Sequence, residues 1–369
     1  FGAARTVRHD PPDQAGIPHP RMGFFAVNFM DFARKFDEDH VTRYIVRHRL
    51  RKRDPNAAVS APVEPIVYYL DPAVPEPYRS NFKQGAMWWA KAFEAAGFRD
   101  AFRVEDMPLD MDPLDARYHV IQWVHRSQPS SSWGSTYTDP RTGEIIKAAV
   151  RMDSHRSVAN YNLFAGTIPA GATSGELGGP LDLDARWLAS LRDASLGDTS
   201  GGVTAEQFVM ARRRQHSAHE VGHTLGLAHN FIAHANGRAS AMDYPPPLVK
   251  VTNGKLDLTD AYREGLGAYD TLAIRWGYGE WPTPEAEKQA LAAIANAGMQ
   301  KGILFMTNSD EALGGAHPEV TTWVTGSDIV EELARTAEVR KFLLQRFDER
   351  AIQPGEPMWL LQRRLAQVY

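Results

Sequence analysis

Residues 216–230 read HSAHEVGHTLGLAHN, and this stretch gathers four of the chain's 13 histidines. His219 and His223 lie four residues apart, so on an α-helix their imidazoles share one face and can bind one cation. Gly226 can adopt the left-handed backbone conformation that ends a helix and turns the chain. The turn lets His229 return toward the helix as a third ligand. The stretch therefore predicts a metal site at the end of a helix.

The predicted ligands indicate which metal chemistry the site serves. The chain has no cysteine, so any metal must be held by His, Asp or Glu. Three neutral imidazoles leave the fourth position of a tetrahedral Zn²⁺ ion open for water, which is typical of a catalytic zinc site. Glu220 directly follows the first ligand, and a metal-activated water needs a general base in that position. We therefore expect one catalytic zinc ion with Glu220 beside it.

The composition limits the partners that this chain can have. Hydrophobic residues make up 43% of the 369 residues and charged residues 23%, which is typical of a globular protein. The net charge of −4 argues against nucleic acid or a membrane surface as an obligatory partner. No apolar run reaches the ~18 residues that a membrane span needs. The composition does not indicate an oligomeric state.

Strands and helices alternate upstream of the histidines. Runs rich in β-branched and aromatic residues predict strands at 65–70 and 118–124. Apolar residues at helical spacing predict a helix over 77–98. The turn sequence DPRTG predicts a hairpin over 133–153. This order predicts an α+β fold built around a small twisted sheet.

One long helix is expected to carry the first two histidines. Thr204 can serve as its N-cap, with Gln207 three residues later completing a capping box. The Gly-rich stretch before it, 166–202, predicts a loop with a short helix near 184–191. The helix should therefore begin abruptly after a long loop.

The C-terminal part of the chain carries no second chemical motif. Amphipathic patterns predict helices over 282–298 and 326–347, the second capped by Ser327 or Thr325.

The sequence pattern predicts three domains or segments. Residues 1–60 are predicted to be an N-terminal arm or the end of an upstream domain, and residues 281–369 a helical C-terminal subdomain. The catalytic domain should span 61–280, with an upper subdomain that runs to about residue 229.

The pattern H-E-x-x-H-x-x-G-x-x-H resembles the zinc-binding motif of the metzincin clan of metallopeptidases. Members of this clan carry a methionine in a tight turn beneath the zinc, and SAMDYPPP at 240–247 resembles this Met-turn. The resemblance implies that Met242 supports the metal site and that Tyr244 lies near the metal. In astacin-like and serralysin-like members such a tyrosine can stabilise the oxyanion. The residues alone leave open that Tyr244 is a packed side chain without a catalytic part.

Further stretches between residues 43 and 280, among them KAFEAAGF and YDTLAIRWGYG, are similar to a family of large bacterial zinc metallopeptidases. This similarity implies a zincin fold: a small twisted mixed sheet, a backing helix and an active-site helix. It also implies a periplasmic or secreted zinc endopeptidase in which Glu220 takes a proton from the metal-activated water. The peptide substrate would lie extended along an edge strand, for which residues 144–152 are the candidate.

Two other functions remain open on the sequence. The first is a zinc-binding but non-hydrolytic peptide-binding module, against which Glu220 argues. The second is an amidase acting on cell-wall material, which a wide cleft without a usable edge strand would favour. Two nearby residues have structural interpretations: His216 is expected to be a core or solvated residue, and Asp270 to secure the Met-turn or cap its own helix.

Overall fold

A computed structural model describes most of the chain from residue 22 onward. The described residues are 22–38, 40–128, 130–165, 203–307, 317, 319–345, 347–349, 352, 355–359, 361, 362 and 365. The short helix predicted near 184–191 lies outside them.

A five-stranded mixed sheet forms the centre of the fold, with the strand order β4-β3-β5-β7-β6. Its strands are β3 (Ile66–Leu70), β4 (Phe102–Asp106), β5 (His119–Val124), β6 (Trp133–Thr138) and β7 (Ile145–Asp153). Strands β4, β3, β5 and β7 run parallel, and β6 pairs antiparallel with β7. Two two-stranded sheets are separate from it: β1 (Ala26–Met30) with β2 (Val41–Ile45), and β8 (Lys250–Thr252) with β9 (Lys255–Asp257). The predicted α+β class and the small mixed sheet are confirmed.

Residues 144–152 do not form an edge of this sheet, which corrects the predicted position of the edge strand. Strand β7 is paired on both sides, with β5 and with β6. The predicted hairpin is present. Its second strand, β7, pairs with the parallel strand β5 and so lies inside the sheet. In the described part of the chain the outer strands of this sheet are β4 and β6, and β6 is the outer strand of the hairpin.

The described residues contain six α-helices: α1 (Tyr78–Ala95), α2 (His155–Ala165), α3 (Ala205–Thr224), α4 (Ala268–Tyr278), α5 (Pro284–Gln300) and α6 (Ile329–Leu344). The predicted capping box of α3 is present, because Thr204 Oγ1 accepts from Gln207 N and Gln207 Oε1 accepts from Thr204 N. Helix α6 is capped by Asp328 and not by Ser327 or Thr325, because the Asp328 carboxylate accepts from the first free N–H groups. None of the described helices is long and apolar enough to cross a membrane.

The main core lies between the sheet and helices α1, α3 and α4. Trp89 of α1 is fully buried, and its indole N–H donates to Ala218 O of α3 at 2.8 Å. Met22 and Phe24, from the segment before β1, belong to the same buried cluster. This packing fixes α3 against α1, so that its C-terminal turn has one position relative to the sheet.

Candidate metal centre

Helix α3 ends where the three histidines converge. The Nε2 atoms of His219 and His223 are 3.1 Å apart, and those of His223 and His229 are also 3.1 Å apart. One ligand atom from each ring lies within 4.8 Å of the other two, so the cluster could hold a metal ion. The i, i+4 spacing brings the first two rings together, and the chain reversal after α3 brings the third.

Backbone carbonyls orient two of these rings. His219 Nδ1 lies 2.8 Å from Ala241 O, and His223 Nδ1 lies 2.8 Å from Leu227 O. Since a carbonyl only accepts, each Nδ1 carries the proton and each Nε2 presents a lone pair toward the cluster. Burial lowers the pKa of both rings, with further lowering from the neighbouring histidines, so the neutral form is favoured.

The donor set fits Zn²⁺. Nitrogen atoms bound at about 2.0–2.1 Å in a tetrahedral site lie roughly 3.3 Å apart, close to the spacing seen here. Metal-binding histidines commonly donate their other N–H to a carbonyl, as His219 and His223 do. All three donors are imidazole nitrogens, which suit zinc better than the oxygen-seeking Ca²⁺ or Mg²⁺.

The chain reversal before His229 requires glycine at position 226. Gly226 has φ +97°, in the left-handed region. A Cβ there would lie 1.9 Å from Val46 O, because the segment after β2 packs directly on the turn. Gly226 O also accepts from Phe25 N at 2.7 Å. The N-terminal segment therefore holds this turn from outside.

Met242 and Asp270 support the site from below. The Met242 side chain is fully buried and packs against α3 at Gly222. Asp270 accepts from Ser240 Oγ at 2.6 Å, from Ala241 N at 2.7 Å and from Gly267 N at 2.7 Å. Asp270 therefore both secures the Met-turn and caps its own helix. Because Ala241 N donates to Asp270 and Ala241 O accepts from His219, the carboxylate of Asp270 supports this candidate ligand through the backbone of one residue.

Glu220 is buried beside the histidine cluster. Its Oε1 lies 2.9 Å from His216 Nε2. The N–H of Gly134, in β6, also donates to this carboxylate. Burial raises the pKa of Glu220 to about 7, although nearby guanidiniums oppose the shift. A Cβ at position 134 would lie 2.2 Å from Glu220 O, so glycine allows β6 to approach the helix this closely.

Tyr244 completes the wall of the site. Its ring centroid lies 4.5 Å from that of His229 and 5.3 Å from that of His219. Burial raises its pKa to about 12, so the hydroxyl stays protonated and can donate. The Trp323 ring stacks on the Tyr244 ring at 5.2 Å, and the backbone N–H of Trp323 donates to Tyr244 O at 3.1 Å. The backbone of Trp323 has φ +65°, in the left-handed region that is unfavourable for a tryptophan. The strained residue is the one that stacks on Tyr244.

The structure brings all the predicted site residues together, and it adds three that sequence reasoning missed. His216 is buried, as the core interpretation expected, but its contact with the Glu220 carboxylate was not predicted; the i, i+4 spacing was the available signal. Gly134 and Trp323 come from distant parts of the chain. No motif marks either of them, so only the folded chain shows their place.

Residues 202–369 match a family model described as Met-zincin. The matched segment contains the whole histidine cluster and the Met-turn, so the resemblance to metzincins is confirmed there. No curated protein matches the chain. No solved structure matches it either.

Proposed function

We propose that this chain, with a Met-zincin segment at residues 202–369, is a zinc-dependent endopeptidase. The observation that carries the proposal is the convergence of three imidazole nitrogens next to the buried carboxylate of Glu220. From the resemblance of residues 43–280 to extracytoplasmic bacterial enzymes, we also infer that it acts in the periplasm or after secretion.

The side chains of the site divide the work of peptide hydrolysis. When bound by the three histidines, Zn²⁺ supplies a Lewis acid that polarises the scissile carbonyl and makes water more acidic. The Glu220 carboxylate accepts a proton from the attacking water and then delivers it to the leaving amine. The Tyr244 hydroxyl donates a hydrogen bond to the oxyanion that develops on the carbonyl. Met242 and Gly226 support the backbone conformation that positions the three histidines.

An extended peptide would bind along β6. This strand pairs with β7 on one side, and no strand of the described residues pairs with its other side. Apart from the N–H of Gly134, which donates to Glu220, its outer N–H and C=O groups can pair with the main chain of a substrate strand. Gly134 brings β6 against Glu220, so a peptide paired there would pass beside the histidines. The free edge favours a peptide substrate over a cell-wall amide.

The direct test compares the parent chain with Glu220→Gln. We expect the parent to hold one zinc ion per chain and to cleave an unstructured protein such as casein. The Gln variant should keep its zinc but lose kcat by a few orders of magnitude, because the amide has no basic oxygen to accept the proton. Zinc is measured by mass spectrometry and cleavage by peptide release.

Glu264→Gln is the matched control, because Glu264 is exposed and pairs with Arg214 on the outside of α3. This variant should cleave like the parent. If the parent binds zinc yet cleaves neither casein nor a random peptide library, the endopeptidase proposal is wrong. A non-hydrolytic peptide-binding module would then be the better interpretation.

A further inference from the structure

The residue that contacts Glu220 is itself held by a buried arginine. Arg213, His216 and Glu220 follow one another along α3 at spacings of three and four residues, so they share one face of the helix. Their side chains are almost entirely inaccessible to solvent. Arg213 Nη1 lies 3.3 Å from His216 Nδ1, and His216 Nε2 lies 2.9 Å from Glu220 Oε1.

The arginine determines which nitrogen of His216 carries the proton. A guanidinium has only donors, so Nδ1 of His216 must accept from Arg213. A neutral imidazole that accepts at Nδ1 is protonated at Nε2. The Nε2–H group therefore donates to Glu220 Oε1. This tautomer is the opposite of that in His219 and His223, which donate from Nδ1.

The sheet fixes the arginine in turn. Arg213 Nη2 donates to Asp153 O, at the end of β7, at 3.0 Å. Its guanidinium lies over the Phe82 ring, 4.9 Å from the centroid, and over the Trp123 ring at 5.9 Å. These contacts tie the arginine to α1, β5 and β7. The chain of hydrogen bonds that runs from Asp153 through Arg213 and His216 to Glu220 is therefore fixed at its β7 end.

We propose that His216 is a positioning residue that orients the Glu220 carboxylate for proton transfer, with Arg213 fixing the histidine tautomer. The proposal rests on the proposed peptidase function. Oε1 accepts from the His216 N–H, and the N–H of Gly134 also donates to the carboxylate. With the backbone donor in place, the His216 N–H is the side-chain contact that sets the direction of the remaining lone pairs. A histidine that only filled space would need neither the guanidinium on Nδ1 nor the carboxylate on Nε2.

The test compares His216→Gln with His216→Leu. Glutamine places an amide N–H near the position of Nε2, whereas leucine fills similar space without a donor. We expect both variants to bind one zinc and to unfold near the parent's temperature. The Leu variant should lose about 10- to 100-fold in kcat with KM nearly unchanged. The Gln variant should recover most of that loss.

A crystal structure of each variant provides a readout that does not depend on activity. The Glu220 carboxylate should keep its orientation in the Gln variant and rotate in the Leu variant. An unchanged carboxylate in the Leu variant would overturn the proposal, as would equal kcat in the Leu variant and the parent. Equal losses in both variants would also overturn it and would assign His216 a packing role. If the parent itself does not cleave, the proposed function fails, while the carboxylate orientation still decides this inference.

Discussion

The ring of Tyr244 lies against the rings of both His219 and His229, so its hydroxyl can donate to an oxyanion that forms beside them. Tyr244→Phe removes that hydroxyl and leaves the ring stacked on Trp323. We expect the variant to bind zinc normally and to lose about 10²-fold in kcat, the usual cost of removing one oxyanion donor. Steady-state kinetics on a fluorogenic peptide would measure it.

Tyr262→Phe is the control for that experiment. Tyr262 is also buried, but it packs against Phe208 in a separate cluster away from the histidines. The same chemical change there should leave kcat unchanged. Should Tyr244→Phe and Tyr262→Phe behave alike, Tyr244 is a packed side chain and not an oxyanion donor.

Strands β5 and β7 are joined by a hydrogen bond to a histidine side chain as well as by backbone hydrogen bonds. His119 begins β5, and its Nδ1 accepts from Ala148 N of β7 at 3.1 Å. The ring packs edge-on against His48 at 4.6 Å. Burial, and then the charge of Lys147, lowers the pKa of His119 to about 4. Protonating the ring would remove the acceptor and break the contact between the strands.

This histidine predicts a loss of stability in mild acid. In the unfolded chain its pKa is about 6.5, so its contribution is complete above that pH and is lost as pH falls toward 4. His119→Asn keeps an acceptor for Ala148 but does not titrate. Between pH 7.5 and pH 5 the parent should lose about 1 to 2 kcal/mol more free energy of unfolding than the variant. Urea titrations at both pH values measure the difference, and equal losses would contradict it.

Segments that are far apart in the sequence meet around the candidate metal centre. Phe24 pairs with Leu227, Asn230 N donates to Met242 O, and Trp323 N donates to Tyr244 O. Each of these contacts involves a residue that neighbours or packs against one of the three histidines. Because a metal that binds only the folded chain stabilises it, removing zinc should loosen all three connections together.

We expect a chelator to lower the Tm of the parent by about 5 to 10 °C, with recovery on adding zinc back. Calorimetry with and without the chelator measures this shift. His229→Ala is the control, because it should start with the lower Tm and respond little to the chelator. A parent whose Tm ignores the chelator would show that the histidines hold no stabilising metal.

Local sequence patterns are sufficient to predict the geometry of the helix that carries the first two histidines. The helix period brings His219 and His223 together, Thr204 and Gln207 fix the start of α3, and Gly226 fixes its end. Each of these depends on residues only a few positions apart, so the spacing of residue types is enough to predict it. The predicted domain bounds at residues 60 and 280 stay a prediction.

The position of the hairpin strands in the sheet and the surroundings of Glu220 depend on long-range packing. The turn predicts that β6 pairs with β7, but the pairing of β5 with β7 places β6 outermost. Arg213 selects a tautomer of His216 only because the sheet holds its guanidinium, and Trp323 reaches Tyr244 only through the fold. Such contacts join residues far apart in the chain, where no local period or propensity constrains them, so their partners are chosen by packing of the whole molecule.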